Sequence, residues 1–373
     1  MEEELRSVSL CLLDDVNMSG VLNLDAFEIR YYKPAELQAV LLEAGMGSLP
    51  AETSDEVKAY GEFPWARLER PIPANKAKTA RDRHLSQLDL SWNHAGARSW
   101  WPFGELLRTL NLLKPAGGPV IGRQFYYWLE PLPKPDRRVD RVIYGKPLWD
   151  YNDSQGKNIH PLVLEYDLGP SDTGSFSLLR DQLTQCLAVQ GKPDNSHLRT
   201  AIHYFENGDR KIVPHPLTES FDAIEPLMSY EAALEALLVL EQDYKVEDKL
   251  SERVARLAKK LNGMTNDKTD AIRNFTKRVF WLRSKVAHGA RPIEEIENLI
   301  LHKPNDATTD DKRNTPKSIP SGNYEALLIK GSAFPGFLMN LRELVRISTR
   351  FFCEAFSRGQ DKATTIASLD KTN

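Results

Sequence analysis

The sequence predicts an α+β fold, mixing strands and helices, for residues 1–220 and an all-α helical bundle for residues 221–357. In the first region, short apolar runs rich in β-branched and aromatic residues are broken by Pro, Gly, Asn and Asp, as strands and turns require. In the second region, apolar residues recur at helical spacing over long stretches. The polar residues 358–373 are predicted to form a flexible tail.

Within the α+β region, each predicted strand is a short apolar run, and each predicted helix has apolar residues three or four positions apart. The strands are predicted at residues 21–32, 119–129, 139–144, 162–166 and 200–205. The helices are predicted at residues 34–44, 103–113 and 176–189. The strand order does not follow from the pattern, and the region is either one sensor or regulatory domain or two subdomains.

The bundle is predicted from apolar stripes that each cover one face of a helix. Its strong helices are predicted at residues 227–243, 248–261, 267–287 and 334–357, with a weaker one at 293–301. The core stripe of the third helix contains Ile272, Phe275, Val279 and Leu282. Between the last two helices, Pro, Asp, Asn and Lys dominate residues 302–322, so a mobile surface loop is expected there.

The composition excludes several classes of protein. A net charge of −3 over 373 residues excludes a globally basic nucleic-acid coat, so affinity for phosphate has to come from local patches. The three cysteines are far apart and form no Cys-x-x-Cys pair, which indicates reduced thiols rather than disulfides or a zinc site. No apolar run reaches the roughly 18–20 residues of a membrane helix, and the acidic start lacks the features of a signal peptide. A cytoplasmic protein without a membrane partner is therefore expected.

The sequence contains no pattern for a metal or a cofactor. Its histidines are scattered singly, without a His-Glu-x-x-His motif, and neither a GxxxxGK[ST] loop nor a GxGxxG fingerprint occurs. We therefore expect no metal and no cofactor.

The most informative residues are Arg283 and His288, near the end of the third predicted helix and just before Gly289. Arginine carries a permanent, forked positive charge that suits a phosphate, and histidine exchanges protons near neutral pH. In RNA, the 2′-hydroxyl is a nucleophile beside each phosphodiester. A guanidinium and an imidazole are therefore the smallest set of side chains that can catalyse RNA cleavage without a metal.

Three segments of the bundle together carry a resemblance to a known superfamily. They read Leu-Glu-Ala-Leu-Leu over residues 234–238, Ser-Glu-Arg-Val-Ala-Arg-Leu over 251–257 and Leu-Arg-Ser-Lys-Val-Ala-His-Gly over 282–289. This succession resembles the HEPN superfamily, and in particular the Apea-like HEPN branch of bacterial anti-phage defence proteins. The mark of that family is an arginine and a histidine with a short spacer between them, which has four residues here.

The resemblance implies a metal-independent endoribonuclease that acts as a homodimer in prokaryotic anti-phage defence. In this interpretation His288 is the acid or base and Arg283 holds the phosphate. An acidic residue of the first bundle helix, Glu235 or alternatively Glu231, completes the catalytic set by orienting them through an ion pair. RNA is the implied partner, with transfer RNA a reasonable target, and a phage-derived trigger is expected to act on the N-terminal region.

The geometry of a single helix does not bring the two motif residues together. Five residues of ideal helix rotate by about 140°, so Arg283 and His288 do not share a face of a straight helix. Gly289 is expected to end the helix in a left-handed conformation, which lets His288 turn. Two copies of the chain would place both motifs in one cleft and supply two histidines, one as acid and one as base.

Further polar and basic residues beside the motif and on the last helix are expected to bind RNA. They are Ser284, Lys285, Arg278, Arg342, Arg346 and Arg350. The last three are four residues apart, so they form one stripe on the helix. Such a stripe either follows a nucleic-acid backbone or is an ordinary solvated face.

A second interpretation needs no catalysis. Cations near a helix C-terminus are favoured by the helix dipole, so Arg283 and His288 are also explained as a capping and ion-pairing set. The chain is then a non-catalytic helical module for dimerisation or binding. In a third interpretation, the aromatic N-terminal region carries the function, as a sensor that binds a small molecule or peptide.

Overall fold

The computed structural model describes residues 4–14, 16–43, 64–72, 103–115, 120–132, 140–145, 166–188, 194–212, 224–289 and 336–371. The chain divides into two compact units. The first contains Met1–Leu110 and Val120–Leu178, and the second contains Asn111–Pro119 and Leu179–Asn373. The predicted succession of an α+β region followed by packed helices is confirmed.

The first unit contains an antiparallel sheet of six strands. In chain order the described strands are β1 (Glu4–Asp14), β2 (Val16–Met18), β3 (Leu22–Leu24), β4 (Phe27–Tyr31), β5 (Pro64–Ile72), β6 (Ile121–Leu132), β7 (Asp140–Gly145) and β8 (Tyr166–Leu168). The sheet has the order β3-β4-β5-β1-β6-β7, while β2 and β8 form a separate parallel pair. Helix α1 (Pro34–Glu43) and most of helix α2 (Gly104–Leu113) also belong to this unit.

Strand β1 lies in the middle of the sheet, although its sequence did not predict a strand. It pairs with β5 on one side and β6 on the other, with Leu10 opposite both Arg67 and Tyr126. Its side chains are buried on both faces, since Val8, Leu10 and Cys11 are all fully buried. A strand covered on both faces loses the apolar–polar alternation that identifies a half-buried strand.

The second unit consists mainly of packed helices. They are most of α3 (Thr173–Leu187), whose residues up to Leu178 belong to the first unit, and α4 (Ser196–Ile212), α5 (Ile224–Leu238), α6 (Val246–Asn262), α7 (Asn266–Ala287), α8 (Gly336–Ser357) and α9 (Lys362–Asp370). Helix α5 lies at the centre and packs against α4, α6, α7 and α8. Its fully buried side chains include Tyr230, Leu234 and Leu237, which is the broad apolar face expected of a core helix.

Two sequence predictions are wrong for residues of the helical unit. Residues 200–205 lie in α4 and are not a strand. The buried Leu198, Ala201, Ile202 and Phe205 have helical spacing. This spacing predicts the structure correctly, whereas the β-branched composition does not. The supposed flexible tail contains α9, whose N-cap Asp361 accepts a hydrogen bond from the backbone of Thr364.

Other predictions correspond closely to the described elements. The helices expected at 248–261 and 267–287 are α6 and α7, each within one or two residues at both ends. The weak helix at 293–301 and the loop at 302–322 lie outside the described residues. Over the ranges that the structure describes, no helix is long and apolar enough to cross a membrane.

Candidate functional site

The end of helix α7 presents His288 to solvent. The backbone N–H of His288 donates to the Ser284 carbonyl at 3.1 Å, and that of Gly289 donates to the Val286 carbonyl at 3.1 Å. Gly289 has φ of +59°, the left-handed conformation that glycine adopts most readily at a helix end. The predicted glycine cap is thus confirmed, and the chain leaves the helix directly after the exposed His288.

Arg283 is held by two carboxylates from the central helix α5. Its Nη1 and Nη2 atoms donate to Glu235 Oε1 and Oε2 at 3.5 and 3.3 Å. Its Nε atom lies 3.3 Å from Oε2 of Glu231. Glu231 and Glu235 are four residues apart, so they stack on one face of α5 and meet the same guanidinium. Both acidic residues that the sequence offered for this position therefore contact Arg283.

The two carboxylates have different surroundings. The side chain of Glu231 is fully buried, whereas those of Glu235 and Arg283 are 25% and 33% exposed. Neither oxygen of Glu231 receives a hydrogen bond from the described residues. Burial, reinforced by repulsion from Glu235, raises the pKa of Glu231 to about 8, and the nearby Arg283 only partly opposes this. This shift favours the protonated form of Glu231 beside the guanidinium of Arg283.

Arg283 and His288 point to different sides of the helix end. Arg283 faces α5, while the His288 side chain is exposed and makes no hydrogen bond or ion pair with the rest of the described chain. This matches the rotation of about 140° between positions five apart. A single copy of the chain thus orients the arginine, while the imidazole remains exposed to solvent.

The residues expected to bind RNA lie on two helices, α7 and α8. Ser284 and Lys285 lie on α7 next to the motif and are partly exposed. The Lys285 ammonium is 5.5 Å from the centre of the Trp281 ring, within the range of a cation–π contact. Arg278 is only 4% exposed, because it lies on the core side of α7, so its predicted contact with RNA is wrong.

The arginine stripe of α8 faces inward. Arg342 is fully buried and Arg346 is 5% exposed, so the prediction that they contact RNA is wrong. The stripe binds the last turn of α2, whose carbonyls have no partner within their own helix. Arg346 Nη1 donates to the Leu112 carbonyl at 3.1 Å, and Arg350 Nη1 donates to that of Leu113. Arg350, which is partly exposed, is thereby also held in a structural contact.

Arg342 belongs to a buried polar network that the sequence did not reveal. Its Nε and Nη2 atoms donate to the two carboxylate oxygens of Asp209 at 2.8 and 3.0 Å. Nη2 also donates to Oδ1 of Asn111, and the Tyr230 hydroxyl donates to Asp209 at 2.6 Å. The carboxylate of Asp209 compensates the buried charge, which a low-dielectric interior otherwise makes costly. In the sequence, the feature that could have predicted this network was the presence of polar residues on the otherwise apolar face of α8.

The cysteine, histidine and acidic side chains of the described ranges do not gather into a metal site. Cys11, Cys186 and Cys353 are all buried as free thiols. No group of three or more His, Cys, Asp or Glu side chains able to hold a metal ion lies among the residues that the structure describes.

Comparison with known proteins finds no relative. No protein-family model, no curated protein and no solved structure matches this chain. The resemblance to the HEPN superfamily therefore depends on the three sequence segments alone.

Proposed function

We propose that this protein is a metal-independent endoribonuclease in which Arg283 and His288 act on one phosphodiester of RNA. One observation carries the proposal: an exposed histidine ends α7 about one and a half turns after an arginine that two carboxylates hold in place. A guanidinium in a defined orientation binds a phosphate through paired hydrogen bonds. A solvent-facing imidazole is accessible to substrate and can transfer protons.

The reaction begins with the 2′-hydroxyl of the RNA. An imidazole takes its proton, the 2′-oxygen attacks the phosphorus, and the bond from phosphorus to the 5′-oxygen breaks. A protonated imidazole gives a proton to the leaving 5′-oxygen. The products are a 2′,3′-cyclic phosphate and a 5′-hydroxyl. Arg283 stabilises the additional negative charge on the phosphorane through its forked donors.

The carboxylates of α5 are positioning residues for Arg283. Their contacts fix the guanidinium, which lowers the entropy lost when a phosphate binds. Because its raised pKa favours the protonated form of Glu231, this side chain repels a phosphate less than an ordinary carboxylate would. This distribution of charge favours anion binding near neutral pH more than at alkaline pH.

Two copies of the chain complete the site. Since Arg283 and His288 lie on different sides of α7, a homodimer with the ends of two α7 helices facing each other would provide two imidazoles and two guanidinia. One imidazole then acts as base and the other as acid. The α+β region is the place for a phage-derived trigger, and transfer RNA and messenger RNA are both candidate substrates.

The proposal is tested by cleavage of total RNA in the presence of EDTA. We expect the wild-type protein to produce fragments with 5′-hydroxyl ends, which polynucleotide kinase labels without prior phosphatase treatment. The His288→Ala and Arg283→Ala variants are expected to lose at least about 100-fold in rate, since each removes a group that acts in the transition state.

Matched controls exist on the same fold. His203→Ala removes an exposed histidine of α4, and Arg273→Ala removes a partly exposed arginine of α7 that pairs with Asp270. Both are expected to cleave at the wild-type rate. If His288→Ala cleaves as fast as the wild type, or if the folded wild type does not cleave RNA after phage infection, the ribonuclease proposal is wrong. A non-catalytic interaction module would then remain.

A further inference from the structure

Helix α7 has a solvent-facing side opposite its core stripe. Positions 270, 274, 277, 281, 285 and 288 are three or four residues apart, so they form one row along the helix. None of these six residues is buried, whereas Ile272, Phe275, Val279 and Leu282 on the other side are. Arg283 is rotated by about 200° from Trp281, which is why it meets α5 while Trp281 lies on the outer side.

The C-terminal half of this row combines an aromatic ring with positive charge. Trp281 is half-buried, and the ammonium of Lys285 lies 5.5 Å from the centre of its ring. Lys277, one turn earlier, donates to Asp248 at 2.6 Å. His288 ends the row, about 10 Å along the helix from Trp281 at 1.5 Å per residue. The row is therefore adjacent to the candidate catalytic imidazole.

We propose that Trp281 and Lys285, which lie beside the candidate catalytic His288 and which we name the α7 outer row, bind an unpaired segment of RNA. Trp281 stacks on a nucleobase and Lys285 contacts a neighbouring phosphate. This inference rests on the proposed function and specifies its substrate class. The base faces in a duplex are covered by their neighbours, so a tryptophan can stack only on an unpaired base.

The local chemistry favours a nucleotide over an apolar ligand. Within the row, the side chains from 281 onward are aromatic, cationic or imidazole, and none is acidic. Indole stacking accepts every base because each base has a π-face, while the ammonium supplies attraction to the backbone. The Lys285–Trp281 contact is at the long end of cation–π distances, so a stacking base can displace the ammonium towards a phosphate.

The experiment measures binding in a full-length His288→Ala background, which prevents cleavage. The probe is a fluorescein-labelled single-stranded RNA of about 12 nucleotides and mixed sequence. Adding Trp281→Leu is expected to weaken binding by about 5- to 150-fold, which is the usual cost of one lost base stack. Trp281→Phe should retain most of the affinity, because the ring remains. Lys285→Ala should reduce the slope of log K (the binding constant) against log salt concentration by about 0.7. This is the value for one lost phosphate contact on a single strand.

A matched control comes from a second lysine–aromatic pair in the same unit. The Lys260 ammonium lies 5.1 Å from the centre of the Phe351 ring. Lys260→Ala and Phe351→Leu, in the same background, are expected to bind the probe as the parent does. Circular dichroism melting establishes that each variant is folded, and Lys285→Ala tests the row without changing an aromatic residue.

The outcomes separate this inference from the ribonuclease proposal. Weaker binding in both Trp281→Leu and Lys285→Ala, with unchanged controls, supports the α7 outer row. If the probe binds the parent and both variants equally, or binds none of them, the row is not an RNA site. Cleavage that depends on His288 would then still support the ribonuclease. A blunt duplex of the same length that binds as tightly as the single strand would also overturn the inference, because it offers no unpaired base for stacking.

Discussion

Replacement of Glu231 by glutamine is expected to remove a loss of stability that the wild-type protein undergoes as the pH rises. Burial and the neighbouring Glu235 raise the pKa of Glu231 from 4.5 to about 8, with Arg283 the opposing positive charge. Between these two pH values the folded protein keeps the proton, while the unfolded chain releases it. The free energy of unfolding therefore decreases as pH increases through this range.

The expected magnitude follows from the two pKa values. Below pH 4.5 both states hold the proton, so the contribution to stability is fully present. Above pH 8 both states are ionised and the contribution is lost. A difference between 4.5 and about 8 corresponds to up to about 5 kcal/mol over the whole range. Glutamine has the shape of the protonated acid but does not titrate, so the variant should lack this decrease.

The assay is urea unfolding followed by circular dichroism at about pH 5, 7 and 9, for the wild type and for Glu231→Gln. The free energy of unfolding of the variant, minus that of the wild type, should increase as the pH rises. The control is Glu225→Gln on the same helix, because the Glu225 side chain is 51% exposed and pairs with Lys211. Parallel pH dependences for Glu231→Gln and wild type would refute the reasoning, since the buried carboxyl would then titrate as it does in the unfolded chain.

Two further substitutions test the helical core by urea unfolding at neutral pH. Arg342→Met leaves the carboxylate of Asp209 buried without its cation and should cost about 3–5 kcal/mol, while Arg273→Met at the surface should change stability by less than about 0.5 kcal/mol. Gly208→Ala places a Cβ 2.4 Å from Cε1 of the Tyr230 ring, so it should lower the free energy of unfolding by about 1–3 kcal/mol. An unchanged urea midpoint would show that the ring can move aside.

The sequence was most informative where local periodicity and local contacts decide the structure. Helix α7 is long, has one apolar stripe and ends at a glycine with positive φ, so its type and its end followed from the pattern. The ion pair of Arg283 with an acidic residue of α5 was also predictable in kind. The sequence could not distinguish Glu231 from Glu235, and both contact the guanidinium because they are one helical turn apart.

The sequence was less informative where partners distant along the chain decide the structure. Strand β1 is identified by its pairing with β5 and β6, which begin 60 and 117 residues later than β1 does. From Leu10 to Leu13 its residues are apolar on both faces, so this part of the strand carries little periodic signal. The raised pKa of Glu231 likewise depends on the packing of other helices around α5, and spacing alone does not reveal the burial of a side chain.

The arginines of α8 show how a periodic stripe can be assigned to the wrong side of a helix. Spacing of four residues establishes that Arg342, Arg346 and Arg350 share a face, but not that the face is exposed. From Leu338 to Thr349 every residue of α8 is buried, and arginines inside such a helix have to be paired. On α7, by contrast, a separate core stripe shows which side is exposed. The cations available to RNA on these two helices are therefore expected on α7, and Lys285 rather than Arg342 is the residue whose removal should change the salt dependence of RNA binding.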